Sequence, residues 1–279
     1  MKMEFSKWHG LGNDFILVNG SKETISNYQQ LATQLCNRHF GVGADGLVIV
    51  SPGDSADFNM RIFNSDGSEA DMCGNATRCV ARYVYENGMT DKTTITLSTL
   101  AGIITPELLF RDAVLETVKV DMGEPRLTRK KIPMTGNPDE QVINIPITVN
   151  NSVYNVTAVS MGNPHCIIFV DDVESINLTV IGPLLETHSF FPRKTNVEFV
   201  QVIDRNTVRM RVWERGAGIT QACGTGACAT LVASVLNGHT ERQAVIKLDG
   251  GDLYVEWGAD NHLSMSGPAV EVFRGKFLL

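Results

Sequence analysis

Two stretches of the sequence place a cysteine and a glycine at the start of a helix-like run, Met72-Cys73-Gly74-Asn75 and Ala222-Cys223-Gly224-Thr225. The free N–H groups and the positive dipole end of a helix N-terminus stabilise a thiolate and also bind a carboxylate. Two such cysteines could remove a proton from one face of a carbon beside a carboxylate and return a proton to the opposite face. One sulfur is then a thiolate while the other is a thiol, and each turnover exchanges them. We therefore interpret Cys73 and Cys223 as a facing acid/base pair.

The cysteine spacing leaves other interpretations open. Cys73 and Cys223 could bind zinc together with Cys79 and Cys228, although Cys-x5-Cys and Cys-x4-Cys differ from the tighter pairs that structural zinc prefers. A thiol-redox site is the other alternative, although the chain has no Cys-x-x-Cys motif. Helical spacing predicts that Cys79 and Cys228 are core residues. The acid/base interpretation is the one that gives Cys73 and Cys223 related roles.

The sequence repeats itself with a shift of 150 residues, the difference between 223 and 73. Four doublets coincide in this one frame: Gly12-Asn13 with Gly162-Asn163, Met60-Arg61 with Met210-Arg211, Cys73-Gly74 with Cys223-Gly224, and Asn87-Gly88 with Asn237-Gly238. The shift predicts an α/β (α+β) fold of two pseudo-symmetric domains from an internal duplication. Each domain is a mostly antiparallel sheet wrapped around a central helix, with the active site in the cleft between them. We predict a domain of residues 1–123 plus 268–279 carrying Cys73, and a domain of residues 124–267 carrying Cys223.

Local patterns predict the elements around these motifs. Ser26 or Asn27 is expected to cap a helix that runs to about Arg38. The segment Gly41–Gly46 matches the dinucleotide-binding fingerprint, but a helix precedes it and a strand follows it, so we predict a turn instead. Alternating and continuous apolar runs predict strands along most of the chain, including one at Ile103–Leu108.

Composition restricts the class of protein. The 279 residues carry a net charge of −7, and no basic stripe offsets it, which argues against nucleic acid or an anionic membrane as a partner. The N-terminal residues lack the apolar core of a signal peptide, and no run reaches transmembrane length. Six cysteines are too sparse for a secreted disulfide scaffold, so we expect a reducing, cytoplasmic location.

Six motifs along the chain form a characteristic set: His9-Gly10-Leu11-Gly12-Asn13-Asp14-Phe15, Met72-Cys73-Gly74-Asn75-Ala76, Gly162-Asn163-Pro164-His165, Thr195-Asn196-Val197-Glu198-Phe199, Trp213-Glu214-Arg215-Gly216 and Ala222-Cys223-Gly224-Thr225-Gly226. Together they resemble the motifs of the diaminopimelate epimerase family over essentially the whole chain. The resemblance implies a pyridoxal-phosphate-independent isomerase, without cofactor or metal, that converts LL- to meso-diaminopimelate with two facing cysteines in a homodimer.

The resemblance also assigns roles to individual residues. Cys73 and Cys223 are the acid/base pair, and backbone donors to the reacting carboxylate come from Gly74, Asn75, Gly224 and Thr225. The pocket for the end of the substrate that does not react is lined by Asn13, Asn64, Asn163, Asn196 and Arg215. Glu214 and His165 are polar neighbours of the reacting centre, and Glu214 also contributes to substrate binding.

Two positions depart from the pattern of many family members. Gly46 stands where some members carry a substrate-contacting Gln, and Phe273 stands where many carry a Tyr at the dimer contact. The alternative with the same fold and the same Cys-Gly pair is a proline or hydroxyproline racemase. Arg215 can bind a carboxylate through two parallel hydrogen bonds, which favours a substrate with a second carboxylate over proline.

Overall fold

A computed structural model describes residues 2–21 and 27–278. The elements up to the middle of the chain are β1 Lys2–Gly10, β2 Asn13–Asn19, α1 Tyr28–Leu35, β3 Gly46–Pro52, β4 Phe58–Asn64, β5 Glu69–Ala70, α2 Gly74–Glu86, β6 Leu97–Thr99, β7 Gly102–Ile104, β8 Glu107–Arg111 and β9 Val114–Gly123. The remaining elements are β10 Ile145–Val149, β11 Ser152–Ser160, β12 Pro164–Phe169, α3 Leu178–Glu186, β13 Asn196–Asp204, β14 Thr207–Glu214, β15 Gly218–Ile219, α4 Gly224–Leu236, β16 Gln243–Leu248, β17 Gly251–Trp257, β18 Leu263–Gly267 and β19 Val270–Leu278.

The chain divides into two compact units, Met1–Asp121 with Ser266–Leu279, and Met122–Met265. The sheet of the first unit has the strand order β19-β1-β2-β3-β4-β6-β7, with β5 paired to β4. The β2–β3 and β4–β6 ladders are parallel and the other ladders of this sheet are antiparallel. Helix α2 is buried along most of its length and packs against β1, β2 and β8. Helix α1 packs against β3 and β4.

The second unit repeats this arrangement. Its strands follow the order β10-β11-β12-β13-β14-β16-β17-β18, with β15 paired to β14, and the β12–β13 and β14–β16 ladders are parallel. Helix α4 packs against β11–β14, β16 and β17, so it forms the centre of the unit. A helix that is apolar all round needs such burial. The expected mostly antiparallel sheet around a central helix is confirmed.

Adding 150 to the bounds of one unit reproduces the elements of the other. Residues 74–86 of α2 become 224–236, the bounds of α4, and residues 2–10 of β1 become 152–160, the bounds of β11. The same shift moves α1, 28–35, to 178–185, which lies within α3. The internal duplication therefore extends to every helix of the described chain.

Two local predictions need correction. Helix α1 is capped by Asn27, as one of the two alternatives predicted, but it ends at Leu35 instead of Arg38; Ser26 lies outside the described residues. The Asn37 side chain accepts from the N–H groups of His39 and Phe40, and this local turn competes with a further helical turn.

The predicted strand Ile103–Leu108 is two strands, β7 and β8, because Pro106 between them has no N–H to donate to a ladder. Helix α3 is not among the predicted elements, and Pro183 inside it lacks the N–H that a helix interior uses. The turn predicted at Gly41–Gly46 is confirmed. A Cβ at Gly41 would lie 2.2 Å from the carbonyl oxygen of Gln34, so this glycine serves a close backbone approach.

Candidate active site

Both candidate cysteines are the N-cap residues of the central helices. Cys73 precedes α2 with extended φ and ψ of −145° and 117°, and Cys223 precedes α4 with −120° and 107°. The first helical hydrogen bonds run from Thr77 N to Cys73 O and from Ala227 N to Cys223 O, each 2.9 Å long. The first N–H groups of a helix have no carbonyl within the helix to bond. The predicted donors Gly74, Asn75, Gly224 and Thr225 are the first two residues of each helix.

In the first unit, Asn13 lies beside Cys73 with its amide held in one orientation. Its Nδ2 donates to Asp45 Oδ2 over 2.7 Å, and its Oδ1 accepts from Asn75 Nδ2 over 3.0 Å. The same Oδ1 lies 3.8 Å from Cys73 Sγ, a hydrogen-bond distance for a thiol. The structure thus brings together three of the predicted residues, Asn13, Cys73 and Asn75.

A network of ion pairs holds Asp45, the residue to which Asn13 donates. Arg38 donates to both oxygens of Asp14, over 3.0 and 2.8 Å, and to Asp45 over 2.8 Å, while Lys7 Nζ lies 2.6 Å from Asp14 Oδ2. Burial alone would raise the pKa of Asp14, but the hydrogen bonds from Arg38 and Lys7 outweigh burial and hold that pKa well below its usual range. The carboxylate of Asp14 is therefore charged at neutral pH, and its ion pairs fix it in place.

The second unit contains an equivalent contact at the equivalent positions. Asn163 Nδ2 donates to Thr225 Oγ1 over 3.2 Å, and 225 − 163 equals 75 − 13. Thr225 Oγ1 lies 3.6 Å from Cys223 Sγ, and Gly226 N donates to the same sulfur over 3.4 Å. An asparagine at the start of β2 or just before β12 thus contacts each cysteine helix at its second residue.

The two cysteines differ in their surroundings. Cys73 is partly exposed, whereas Cys223 is 5% exposed. Burial, and then the nearby carboxylates of Glu214 and Glu198, raise the pKa of the Cys223 thiol well above its ordinary value, against the hydrogen bonds from Thr225 and Gly226. Burial and the charge of Glu198 also raise the pKa of Glu214, which accepts hydrogen bonds from Thr220 and Cys223. Without substrate, Cys223 is therefore a thiol at neutral pH.

This electrostatic arrangement predicts the effect of neutralising Glu214. In Glu214→Gln, Cys223 loses a repelling negative charge, so its pKa falls and the pH at which it alkylates at half its maximal rate moves down. Iodoacetamide labelling across a pH series, with the modified peptide quantified by mass spectrometry, measures this shift. Glu186→Gln is the matched control, because Glu186 is also a buried carboxylate of this unit but bonds Trp213 and Gly216 instead. An unchanged or higher pH in Glu214→Gln would contradict the prediction.

The remaining predicted residues are engaged in different ways. Asn196 bridges two segments, because its Nδ2 donates to Pro164 O and its Oδ1 accepts from Arg215 N, each over 2.9 Å. Asn64 ends β4, and its amide donates to Ser68 within the turn that follows, over 2.9 Å. Gly46 is its ladder partner on β3.

The guanidinium of Arg215 is exposed at a pocket of about 620 Å³ in the second unit. The side chains that line this pocket include five cations, Arg126, Lys130, Lys131, Arg193 and Arg215. A concentration of positive charge in a protein of net charge −7 favours an anionic ligand group at this place.

His165 is fully buried on β12 and is bonded to Glu198, for which the sequence motifs predict no individual role. Its Nδ1 lies 2.6 Å from Glu198 Oε1, and both side chains are 0% exposed. The sequence does mark Glu198 as unusual, because it is a charged residue within the apolar strand Val197–Val200. The residue 150 positions earlier is the apolar Val48, so the two repeats differ at this point.

Comparison with known proteins agrees with the motifs. The family model described as diaminopimelate epimerase matches residues 5–128 and again 157–272, one match for each repeat. A diaminopimelate epimerase of Pelotomaculum thermopropionicum is 57% identical over 277 residues, covering 99% of each chain. The enzyme of Methanococcus maripaludis is 55% identical over 275 residues, covering 98% of this chain and 99% of that one.

Solved structures with the same fold are more distant in sequence. A PhzF-family phenazine biosynthesis protein of Bacillus anthracis has a TM-score of 0.73 at 17% identity, covering 100% of both chains. A hydroxyproline epimerase of Agrobacterium vitis has a TM-score of 0.68 at 16% identity, covering 99% of this chain and 92% of that one. These structures support the duplicated fold, and the sequence relatives identify the family. The chain belongs to the diaminopimelate epimerase family.

Proposed function

We propose that this chain is a cofactor-independent isomerase that interconverts LL- and meso-diaminopimelate, with Cys73 and Cys223 as the acid/base pair. The observation that carries the proposal is the pair of cysteine N-caps, one on each central helix, each next to an asparagine at the equivalent position. Relatives of 53–57% identity over nearly the whole chain bear the same name. The reaction is a step in the biosynthesis of lysine and of cell-wall precursors.

The chemistry is a proton transfer at the α-carbon. A thiolate takes the α-hydrogen, the C–H bond breaks, and its electron pair moves towards the substrate carboxylate. The N–H groups at the starts of α2 and α4 stabilise that growing negative charge. The thiol of the other cysteine then gives a proton to the opposite face of the carbon, which closes the proton balance. The two sulfurs end with their protonation states exchanged, ready for the reverse direction.

The residues around the cysteines support a substrate with two amino-acid ends. We assign Asn13, Asn64, Asn163, Asn196 and Arg215 to the end that does not react, with Glu214 as an acceptor for a substrate ammonium and His165 in support of catalysis. Arg215 is supported by its exposed guanidinium among four further cations, which suits a second carboxylate. Asn196 fixes the backbone of Arg215, so its contribution includes the placement of that residue.

A proline or hydroxyproline racemase is the second candidate, because a hydroxyproline epimerase shares the fold. A structural similarity at 16% identity supports only a shared fold. In addition, proline has no second carboxylate for the cationic pocket to bind. Diaminopimelate is the substrate that the charges favour.

The decisive experiment compares the two substrates in deuterium oxide. Purified protein with no added cofactor is incubated with LL-diaminopimelate, and in parallel with L-proline and trans-4-hydroxy-L-proline. We expect deuterium at the α-carbon of diaminopimelate, measured by NMR, together with formation of the meso isomer. Faster exchange into proline would favour the second candidate, and exchange into none of the three would refute the epimerase proposal.

We further propose a homodimer in the cytoplasm, with function divided between residues 1–123 plus 268–279 and residues 124–267. Strand β19 at the edge of the first sheet supports the dimer, because Val272 and Phe273 on it are exposed apolar residues. Phe273 also packs edge-on against Phe5, with ring centres 6.0 Å apart, so an apolar contact is available without a tyrosine hydroxyl. No helix within the described part of the chain is long and apolar enough to cross a membrane.

A further inference from the structure

The buried pair of His165 and Glu198 is an unusual element of the second unit. The two side chains lie on the adjacent parallel strands β12 and β13 and are completely shielded from solvent. Removing a carboxylate from water costs several kcal/mol unless a partner compensates it. The second oxygen, Glu198 Oε2, has no hydrogen-bond partner among residues 2–21 and 27–278. The carboxylate therefore depends on the hydrogen it shares with His165 Nδ1.

The fold does not require this pair, because the first unit is built without it. Subtracting 150 places Phe15 at the position of His165 and Val48 at that of Glu198, and both are buried. The ladder register is the same, since Leu17 pairs with Val48 as Ile167 pairs with Glu198. Apolar residues in place of a buried ion pair are often neutral or stabilising. The polar pair in the second unit therefore has a purpose other than folding.

Helix α4, which packs against β12 and β13, also differs from its counterpart α2 next to this pair. Gly226 on α4 corresponds to Ala76 on α2. A Cβ at Gly226 would lie 2.8 Å from Glu198 Oε1, closer than real Cβ atoms come without movement, and it would make a tight contact of 3.2 Å with Cys223 Sγ. The absence of a side chain at Gly226 thus makes room for the carboxylate directly beneath the cysteine turn.

A continuous hydrogen-bond chain leads from Glu198 to the sulfur. His165 Nε2 lies 3.1 Å from Asn163 Oδ1, Asn163 Nδ2 donates to Thr225 Oγ1, and Thr225 Oγ1 lies 3.6 Å from Cys223 Sγ. A carboxylate oxygen only accepts, so the ring nitrogen that faces Glu198 carries a hydrogen, and the other ring nitrogen faces the side-chain amide of Asn163. Because Thr225 Oγ1 accepts from Asn163, its own hydrogen is left to point at the sulfur.

We propose that Glu198 is a positioning residue for Cys223: it anchors the His165 ring, which through Asn163 aims the Thr225 hydroxyl at Sγ. The inference rests on the proposed epimerase function. When Cys223 gives its proton to the substrate, the Thr225 hydroxyl and Gly226 N–H are already directed at the resulting thiolate. The other titratable groups that face the pair are Glu214 on β14, Cys223 itself and Cys166 on β12.

A spectroscopic measurement tests the anchor without using activity. In protein labelled with ¹⁵N-histidine, the ring signals of His165 are identified by their loss in His165→Gln. We expect Nδ1 of His165, the ring nitrogen that faces Glu198, to bear a hydrogen, because a carboxylate oxygen can only accept. In Glu198→Gln the nitrogen facing position 198 should become bare, whereas Glu186→Gln should leave the His165 signals unchanged. A bare Nδ1 in the wild-type protein would overturn the proposal.

A kinetic comparison tests the consequence for Cys223. The double variant Glu198→Val/Gly226→Ala installs the residues of the first unit at these two positions, and Glu198→Gln keeps the size and a polar partner for the ring. Because the double variant leaves His165 buried without its carboxylate partner, we expect it to melt below the wild-type temperature, and its kinetics are measured well below that transition. Its kcat should be about 10- to 100-fold lower with a smaller change in KM, the loss of one hydrogen bond to a charged group. Glu198→Gln should recover part of that loss.

The outcomes separate the two proposals. Wild-type kcat in the folded double variant would overturn the positioning role, and so would a loss in kcat that Glu198→Gln does not recover in part. If the double variant fails to fold, the ring signals of the wild type and of Glu198→Gln decide the question. Absence of diaminopimelate epimerisation by the wild-type protein would refute the proposed function, while the ring signals would still report on the Glu198 anchor.

Discussion

Replacing either Cys73 or Cys223 with alanine is expected to lower kcat for epimerisation by about 10³-fold or more. Each alanine removes one of the two proton carriers, and a positioned general acid or base contributes typically about 10²- to 10⁴-fold. Neither change should unfold the protein, because each sulfur lies at a helix N-cap beside a polar side chain, Asn13 at Cys73 and Thr225 at Cys223. The measurement is the rate of meso isomer formation from LL-diaminopimelate, with a thermal melt of each variant.

Cys79→Ala and Cys228→Ala are the matched controls for these variants. Both residues lie on the same two helices, are fully buried and pack in the core. Loss of their sulfurs leaves small cavities that lower the free energy of unfolding by roughly 1–3 kcal/mol, with kcat close to wild type. If Cys73→Ala or Cys223→Ala keeps kcat within tenfold of wild type, the two-cysteine mechanism is wrong for this chain. A similar loss in the controls would show that kcat follows general damage to the helices.

The fold and the cysteine sites were predictable because their signals are strong and local. A cysteine followed by glycine and a run of buried residues ending in Asn-Gly specifies a helix with a thiol at its start, and this holds at Cys73 and Cys223. The repeat at a shift of 150 residues is visible when the sequence is compared with itself. It specified two similar units, which both the sheets and the two family-model matches reproduce.

Helix α3 shows where local rules failed and the repeat would have succeeded. Pro183 argues against a helix when the segment is considered alone, yet α1 plus 150 points to residues 178–185. The apolar face of α3 packs against β13 and β14, and this tertiary burial outweighs the lost backbone hydrogen bond. Applying the repeat to elements as well as to doublets would have found the helix.

The hydrogen-bond chain from Glu198 to Cys223 could not be predicted from local sequence patterns. The roles of Asn163 and His165 were expected as polar neighbours, but the contact of His165 with Glu198 depends on the β12–β13 register, which pairs Ile167 with Glu198. Local periodicity does not specify which parallel strands pair. What the sequence does contain is an asymmetry: His165, Glu198 and Gly226 in one half replace Phe15, Val48 and Ala76 in the other. Differences between repeats are therefore as informative as their similarities.

That asymmetry leads to a large and specific effect of Gly226→Ala on stability. In the wild-type background the new Cβ meets the buried carboxylate of Glu198 at 2.8 Å and Cys223 Sγ at 3.2 Å. Overpacking of a rigid core typically lowers the free energy of unfolding by about 1–3 kcal/mol, and a charged group that cannot move into water places this case at the upper end. Displacement of Cys223 should also lower kcat. Urea denaturation of the variant measures the change in stability.

The effect should depend on what stands at position 198. In a Glu198→Val background the space that the carboxylate filled becomes available, so Gly226→Ala should be neutral or stabilising there, as Ala76 is above Val48. The resulting double-mutant cycle should give a coupling free energy of roughly 1–3 kcal/mol. Gly238→Ala is the control, because Gly238 has φ of +73° with open space around it and its cost of about 1 kcal/mol should be equal in both backgrounds. Equal destabilisation by Gly226→Ala in the two backgrounds would mean that the carboxylate does not occupy the space beneath the cysteine turn.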